Sequence, residues 1–366
     1  MTVLKTRAMV LEEFNKDLYM KEIEIPPLTE GQVLVKIIAS GICGSDVHML
    51  KGNDPRIPLP MILGHEGVGT VVEVKGKKLT VDREELKEGD NIIWNRGVSC
   101  GECYFCKVKN TPSLCPERWV YGISKSCKEK PYLNGCYADY IILSDNTDIF
   151  KTPNEVDPAV LVPASCSGAT AAHCFDYINL KAGDVVLIQG PGPLGIFATY
   201  FAAHHGASQI IMMGGTEKRL EMSKKFGATI TLNRHTMSIE ERKKEIMDLT
   251  NGRGVDYAIE AVGQPSAVKE GLSLIRNGGV YLSVGFGEPN GSIEVNCFED
   301  IVRKNLTYQG IWVSATSHLY IAMNSILKDT ELFSSLITHR FPLEKANEAL
   351  KVMDNREAVK AVLTSN

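Results

Sequence analysis

The stretch Val185-Val186-Leu187-Ile188-Gln189-Gly190-Pro191-Gly192-Pro193-Leu194-Gly195 decides how the second half of this chain folds. Four consecutive apolar residues predict a strand buried on both faces. Residues 190–195 fit G-x-G-x-x-G, and the apolar run over 194–205 predicts a helix. Glycines permit the tight turn and let backbone approach a pyrophosphate, while the helix N-terminus offers unpaired N–H groups to the anion. Pro193 suits the first helical turn, where its missing donor costs nothing. The six-residue pattern is weak alone. Between a strand and a helix it predicts a dinucleotide loop built from Gly190, Gly192, Pro193, Leu194 and Gly195.

Outward from this loop the pattern repeats. Strands are expected over 209–213, 255–261 and 279–284, and helices over 217–226 and 266–276. Such alternation implies parallel strands with right-handed crossovers, hence an α/β doubly wound sheet. A carboxylate at the end of the second strand ordinarily reads the ribose of NAD. Here Gly214 and Gly215 stand at that place, followed by Thr216, Glu217, Lys218 and Arg219. With no carboxylate to repel a 2′-phosphate, and with Lys218 and Arg219 supplying positive charge, NADP is favoured over NAD. Glu217 reaching the ribose is the alternative. Val262 completes the expected coenzyme contacts.

Residues up to about 150 have another texture. Short apolar runs at 32–39, 67–74, 91–94 and 137–143 are punctuated by turn residues, predicting a β-rich domain. After about 310 come two amphipathic helices and a last strand over 358–363. A chain of 366 residues holds two domains comfortably. The net charge of −4 gives no electrostatic reason to expect nucleic acid or an anionic membrane as partner. No apolar run approaches a membrane span, and no signal-like block opens the sequence, so a cytoplasmic location is expected.

The ten cysteines divide by spacing. Cys100, Cys103, Cys106 and Cys115 have metal-ligand separations and predict a closed site with four thiolates, structural zinc by type. The eight residues before Cys115 do not fit a compact iron–sulfur run. A zinc-ribbon nucleic-acid module is disfavoured, because no basic recognition helix accompanies the cysteines. Cys127, Cys136, Cys174 and Cys297 lack such spacing and are expected to be small buried hydrophobes. Cys43 in Gly41-Ile42-Cys43-Gly44-Ser45-Asp46-Val47-His48, His65 in Gly64-His65-Glu66, and Cys166 offer two thiolates and an imidazole. Three ligands of this kind leave a fourth zinc position open, the arrangement of a catalytic metal. Asp46 is placed to hold the other nitrogen of His65. Glu66 is either a neighbour of the ligands or an occasional ligand. Core packing is the expected role of Trp94, Trp119 and Tyr121, with a place at the substrate mouth the alternative.

These motifs, with Cys166-x3-Thr170 and Val359-Lys360-Ala361-Val362-Leu363, closely resemble the zinc-dependent medium-chain alcohol dehydrogenase family over essentially the whole length. The resemblance implies a GroES-like catalytic domain over 1–164, to which 311–366 return, and a Rossmann coenzyme domain over 165–310. It implies two zinc ions per chain: catalytic at Cys43, His65 and Cys166, structural at Cys100, Cys103, Cys106 and Cys115. It makes Ser45 and His48 a proton relay, Thr170 a nicotinamide contact and Lys360 a pyrophosphate contact. The expected function is hydride transfer between a primary, secondary or polyol alcohol and NAD(P), giving an aldehyde or ketone, in a homo-oligomer with a tetramer favoured over a dimer. A polyol, sugar or amino-alcohol dehydrogenase is the alternative within the superfamily, and a non-catalytic dinucleotide-binding protein the alternative outside it. Two departures stand out: Gly44 occupies a place where some relatives are basic, and the loop over 77–88 is long and charged.

Overall fold

The computed structural model describes residues 5–365. The chain divides into two compact units, Met1–Cys166 with Ala315–Asn366, and Ser167–Ser314.

In the first unit the strand Val33–Ile42 is the hub. It pairs antiparallel with Gly67–Val74 on one side and with the final strand, Lys360–Thr364, on the other. The seven-stranded sheet runs Ile149–Lys151, Asn91–Trp94, Gly67–Val74, Val33–Ile42, Lys360–Thr364, Ile337–Pro342, with Tyr140–Leu143 also pairing to Val33–Ile42. Alternation along the hub feeds two cores. Val33, Val35 and Ile37 pack with Val71, Ile92, Trp94, Tyr121 and Ile141. Leu34 and Ile42 pack with Met49, Tyr137, Ala361 and Leu363. Trp94 and Tyr121 are therefore core residues, and the Tyr121 hydroxyl is satisfied by Thr147 Oγ1 at 2.7 Å. Trp119 is half-buried, with the Lys125 ammonium 4.0 Å from its ring.

Register is what brings chemistry together here. Ile42 lies opposite Ala361, and Ser40 lies opposite Gly67. The residues just outside those pairs, Cys43, His65-Glu66 and Lys360, thus leave three neighbouring strands at one end of the sheet.

The second unit is built around Val185–Gln189, all five residues buried. Its six-stranded sheet runs Ile230–Asn233, Gln209–Gly214, Val185–Gln189, Val255–Glu260, Ile275–Ser283, Thr307–Gly310, and every pairing is parallel. This order, 3-2-1-4-5-6 in chain sense, is that of a dinucleotide-binding Rossmann sheet. Leu187, Ile211, Leu232, Ala258, Leu272 and Tyr281 form its core.

Several elements differ from the sequence reading. The helix expected over 266–276 ends at Leu274, and the following strand begins at once at Ile275. The helix Ile239–Leu249 was hidden by its charge, though Ser238 and Glu241 form a capping box at its start. Cys136 and Cys174 are buried and Cys127 partly so, whereas Cys297 is exposed at the first residue of the helical turn Cys297–Val302. No helix among the described residues is long and apolar enough to cross a membrane.

Candidate active site

Cys43 directly follows the hub strand and caps the short helix Gly44–Leu50. Its backbone N–H donates to Asp46 Oδ2 at 2.7 Å, which fixes the first turn. The other carboxylate oxygen of Asp46 lies 3.4 Å from His65 Nδ1, an ion-pair contact longer than a good hydrogen bond. Nε2 of the same ring is 3.5 Å from Ser45 Oγ. Ser45 and His48 are three residues apart on one helix and so share a face; His48 is exposed.

Ligand atoms of Cys43, His65, Glu66 and Cys166 all lie within 4.8 Å of one another. The sulfurs of Cys43 and Cys166 are 3.9 Å apart. Thiolates about 2.3 Å from a tetrahedral zinc stand roughly 3.8 Å from each other, so the two sulfurs fit one ion. A hydrogen bond from Cys166, with His65 and Lys360 nearby, holds the Cys43 thiol well below its ordinary range despite burial. Cys166 is pushed well above its range by that same partner and by burial. Burial opposes charge on His65, but Asp46 and Cys43 outweigh it and raise the imidazole to about 9.

Glu66 is fully buried, and its ammonium partner is Lys360, itself 2% exposed. Burial raises the Glu66 carboxyl while Lys360 pulls it back, and burial of Lys360 is outweighed by Glu66, so its ammonium is raised. Lys360, expected at the pyrophosphate, has its ammonium on Glu66 within the first unit. The register that sets Ala361 against Ile42 buries its ammonium on Glu66, inside the zinc-binding unit. The sequence also passed over Arg96, a buried guanidinium close enough to lower the Cys166 thiol. The signal was a charge two residues after the apolar run Ile92-Ile93-Trp94.

The four cysteines of the second cluster also lie within 4.8 Å of one another. Cys103 Sγ is 3.6 Å from Cys106 Sγ, and Cys115 Sγ 3.5 Å from Cys100 Sγ, again the separations a tetrahedral zinc requires. The N–H of Cys103 donates to Cys100 Sγ at 3.3 Å, and that of Cys100 to Cys115 Sγ at 3.5 Å. The Cys106 backbone holds the Cys103 thiol down at about 7, while burial and Cys103 push Cys106 up to about 12.

In the Rossmann unit Gly190 has φ +107°, a conformation glycine adopts without strain. A Cβ on Gly195 would stand 1.9 Å from the Gly190 carbonyl oxygen, so only glycine lets the helix Pro193–His204 close on the loop. Gly192 caps that helix, and a Cβ there would meet nothing within 4 Å, leaving an open approach to the N-terminus. Leu194 follows Pro193 in the first turn. Val262 Cγ2 would be 3.0 Å from a Cβ on Gly190, which places Val262 at the loop. Thr170 is buried on the helix Ser167–Cys174, directly after Cys166 in sequence.

At the ribose position Gly214 ends its strand opposite Asn233. Glu217 accepts from Asn233 Nδ2 at 2.8 Å, which ties its carboxylate to the neighbouring strand. Lys218 is exposed and Arg219 half-buried. A Cβ on Gly215 would lie 2.4 Å from His235 Nε2 and 3.0 Å from Arg234 Nε. These two basic side chains were missed because they follow a strand of only four residues, Ile230–Asn233.

Comparison with known proteins agrees with this geometry. Residues 29–154 match the family described as alcohol dehydrogenase GroES-like domain, and residues 193–328 match zinc-binding dehydrogenase. The chain is 31% identical to 5-exo-hydroxycamphor dehydrogenase of Pseudomonas putida, with 98% of each chain covered. It is 32% identical to D-arabitol-phosphate dehydrogenase of Enterococcus avium over 94% of this chain and 93% of that protein. The crystal structure of an alcohol dehydrogenase from Thermotoga maritima superposes with a TM-score of 0.95 at 49% identity, covering 99% of this chain and 100% of the other. The chain thus belongs to the zinc-binding alcohol dehydrogenase family, as an enzyme that passes hydride between an alcohol and NAD(P) to give an aldehyde or ketone.

Proposed function

We propose that Cys43, His65 and Cys166 hold the catalytic zinc, that Cys100, Cys103, Cys106 and Cys115 hold a second, structural zinc, and that the coenzyme is NADP. The carrying observation is the pair of sulfurs 3.9 Å apart beside the His65 ring, in a chain that also carries the glycine loop. Zinc at these ligands supplies a Lewis acid, and nicotinamide supplies the hydride acceptor. The chain's own residues do the rest. Ser45, whose hydroxyl sits 3.5 Å from His65 Nε2, takes the proton of the substrate hydroxyl, and exposed His48 on the same helix face delivers it to solvent. Asp46 fixes the ring orientation of His65. Glu66 and Lys360 set the charge behind the ligands. Gly190, Gly192, Pro193, Leu194, Gly195 and Val262 receive the dinucleotide, with Thr170 at the nicotinamide. The glycine pair 214–215, with Lys218, Arg219, Arg234 and His235, receives a 2′-phosphate.

We place the catalytic role in the first unit, completed by the C-terminal return, and the coenzyme role in the second. A homo-oligomer, tetramer favoured, is supported by the strand Thr307–Gly310, whose outer edge pairs with no strand among the described residues while Tyr308 and Trp312 nearby are exposed. Ten unbridged cysteines support a reducing, cytoplasmic setting. A polyol substrate is the second reading, favoured by the relative named for D-arabitol phosphate.

Metal content and initial rates with NAD(H) and NADP(H) across primary, secondary and polyol alcohols test the assignment. We expect near two zinc ions per chain, chelator-sensitive turnover and higher kcat/KM with NADP. Cys43→Ala should keep one zinc and lose at least about 10³-fold in kcat, as when a group acting only in the transition state is removed. Near-normal turnover in Cys43→Ala would refute the ligand set.

A further inference from the structure

A second set of charges lies in the zinc-binding unit, and none of the roles above uses it. Arg96 immediately precedes the short strand Gly97–Val98, and Arg118 immediately precedes Trp119–Val120. The two strands pair antiparallel, Gly97 opposite Val120 and Val98 opposite Trp119. This register lays the Arg118 side chain across Gly97, where a Cβ would stand 2.0 Å from Nη2 and 2.4 Å from Cζ. The missing side chain at Gly97 is thus the bed on which the guanidinium rests. Arg96, one residue away, is only 6% exposed.

Charge makes the arrangement unusual. Burial, then Arg96, then Arg56, push the Arg118 guanidinium down to about 10, so three cations act on one another. Arg56 is engaged by Asp54: its Nε donates to Oδ1 at 2.8 Å and its Nη2 contacts Oδ2. Nη2 of Arg118 is buried with no hydrogen-bond acceptor among the described residues. A guanidinium nitrogen buried with an unused donor is costly unless an anion meets it, and the planar fork matches carboxylate and phosphate. The cluster also lies near the catalytic ligands: Arg96 follows the strand Asn91–Trp94, which packs against the turn Val162–Ser165 that leads into Cys166.

We propose that Arg96 and Arg118, backed by Arg56, are an anion-binding subsite beside the catalytic zinc ligands, and that the alcohol this enzyme oxidises carries a carboxylate or a phosphate monoester. The proposal rests on the dehydrogenase reading above and supplies its substrate class. The anion is bound and not transformed; the guanidinium fork orients the substrate so that the far hydroxyl is the one presented to Ser45 and the zinc ligands.

The test uses the zinc-loaded enzyme and alcohols matched except for the anion: butan-2-ol against 3-hydroxybutyrate, and sorbitol against sorbitol 6-phosphate. We expect kcat/KM to favour an anionic member by about 10- to 100-fold, the worth of one or two charged hydrogen bonds. The two pairs tell a carboxylate site from a phosphate site. Arg118→Gln and Arg96→Gln should bring the ratio toward one, and Arg118→Lys, which keeps the charge, should hold part of it. Titration with malonate or inorganic phosphate, read by fluorescence of neighbouring Trp94 and Trp119, gives binding without turnover. Saturable binding lost in Arg118→Gln, with no turnover of any alcohol, would keep the anion subsite and count against the dehydrogenase assignment. Neutral alcohols used as well as anionic ones would overturn the proposal. So would an unchanged ratio in Arg118→Gln accompanied by lost zinc, which would mean that Arg118 only balances the Cys115 thiolate.

Discussion

His65 is the residue whose surroundings most clearly set a pH response. Its ordinary value is 6.5, and Asp46 with Cys43 raises it to about 9 despite burial. Because the folded value is raised, the stability this proton contributes to metal-free protein is complete below about 6.5 and is lost as pH rises through about 9. Zinc needs the neutral ring, so the same proton, and that of the raised Cys166 thiol, must leave when metal enters. Zinc affinity of the Cys43 site should therefore climb with pH through about 9 and keep climbing beyond it, because the Cys166 thiol still holds its proton there. Calorimetry in buffers of different ionisation enthalpy counts the released protons; zinc uptake at pH 7.5 without net release would refute this account. Cys43, His65 and the glycines of the loop were legible in the sequence because each sits in a short motif whose neighbours share its purpose. The pairing of Glu66 with Lys360 was not legible. It depends on the register of strands from opposite ends of the chain, which no local pattern encodes.

Among the elements, the cysteine lobe has the least packing of its own. Its helix Tyr104–Lys107 is four residues long, and Tyr104, Val108 and Leu114 are exposed, Val108 by 67%. Segments that bury so little apolar surface are held by something other than a core, here the four sulfurs. Cys103→Ser should remove one zinc per chain and lower the melting temperature of the zinc-binding unit by roughly 5–10 °C, the scale of about 3 kcal/mol in a domain this size. Differential scanning calorimetry with metal analysis checks it, and an unchanged melting temperature would sink the structural role. Strands buried on both faces, such as Val185–Gln189, could be read directly from continuous apolar runs. Short elements such as Ile230–Asn233 and Thr307–Gly310 could not, since four residues fit a strand, a turn or a helix end equally well.

For the whole molecule, the two units have separate cores, one around Leu187 and Ala258 and the others around Val35 and Leu34. Separate cores predict two unfolding transitions that respond to different ligands. Coenzyme at about a hundred times its dissociation constant adds about 2.7 kcal/mol to the unit it binds. It should raise one transition by roughly 5–10 °C, while a chelator lowers the other. A scan in which both ligands move a single common transition would refute independent units. The closing of the first unit by Lys360–Thr364 also fixes an order of manufacture. On the ribosome, Ser167–Ser314 can finish folding while the seven-stranded sheet still waits for the strand Lys360–Thr364 and Glu66 for its cation. Breaking such a buried pair by removing one partner costs about 3–5 kcal/mol, so a prematurely released chain ending before residue 360 carries a complete coenzyme fold and a destabilised metal centre. Completion of the metal centre thereby doubles as proof that translation passed residue 360.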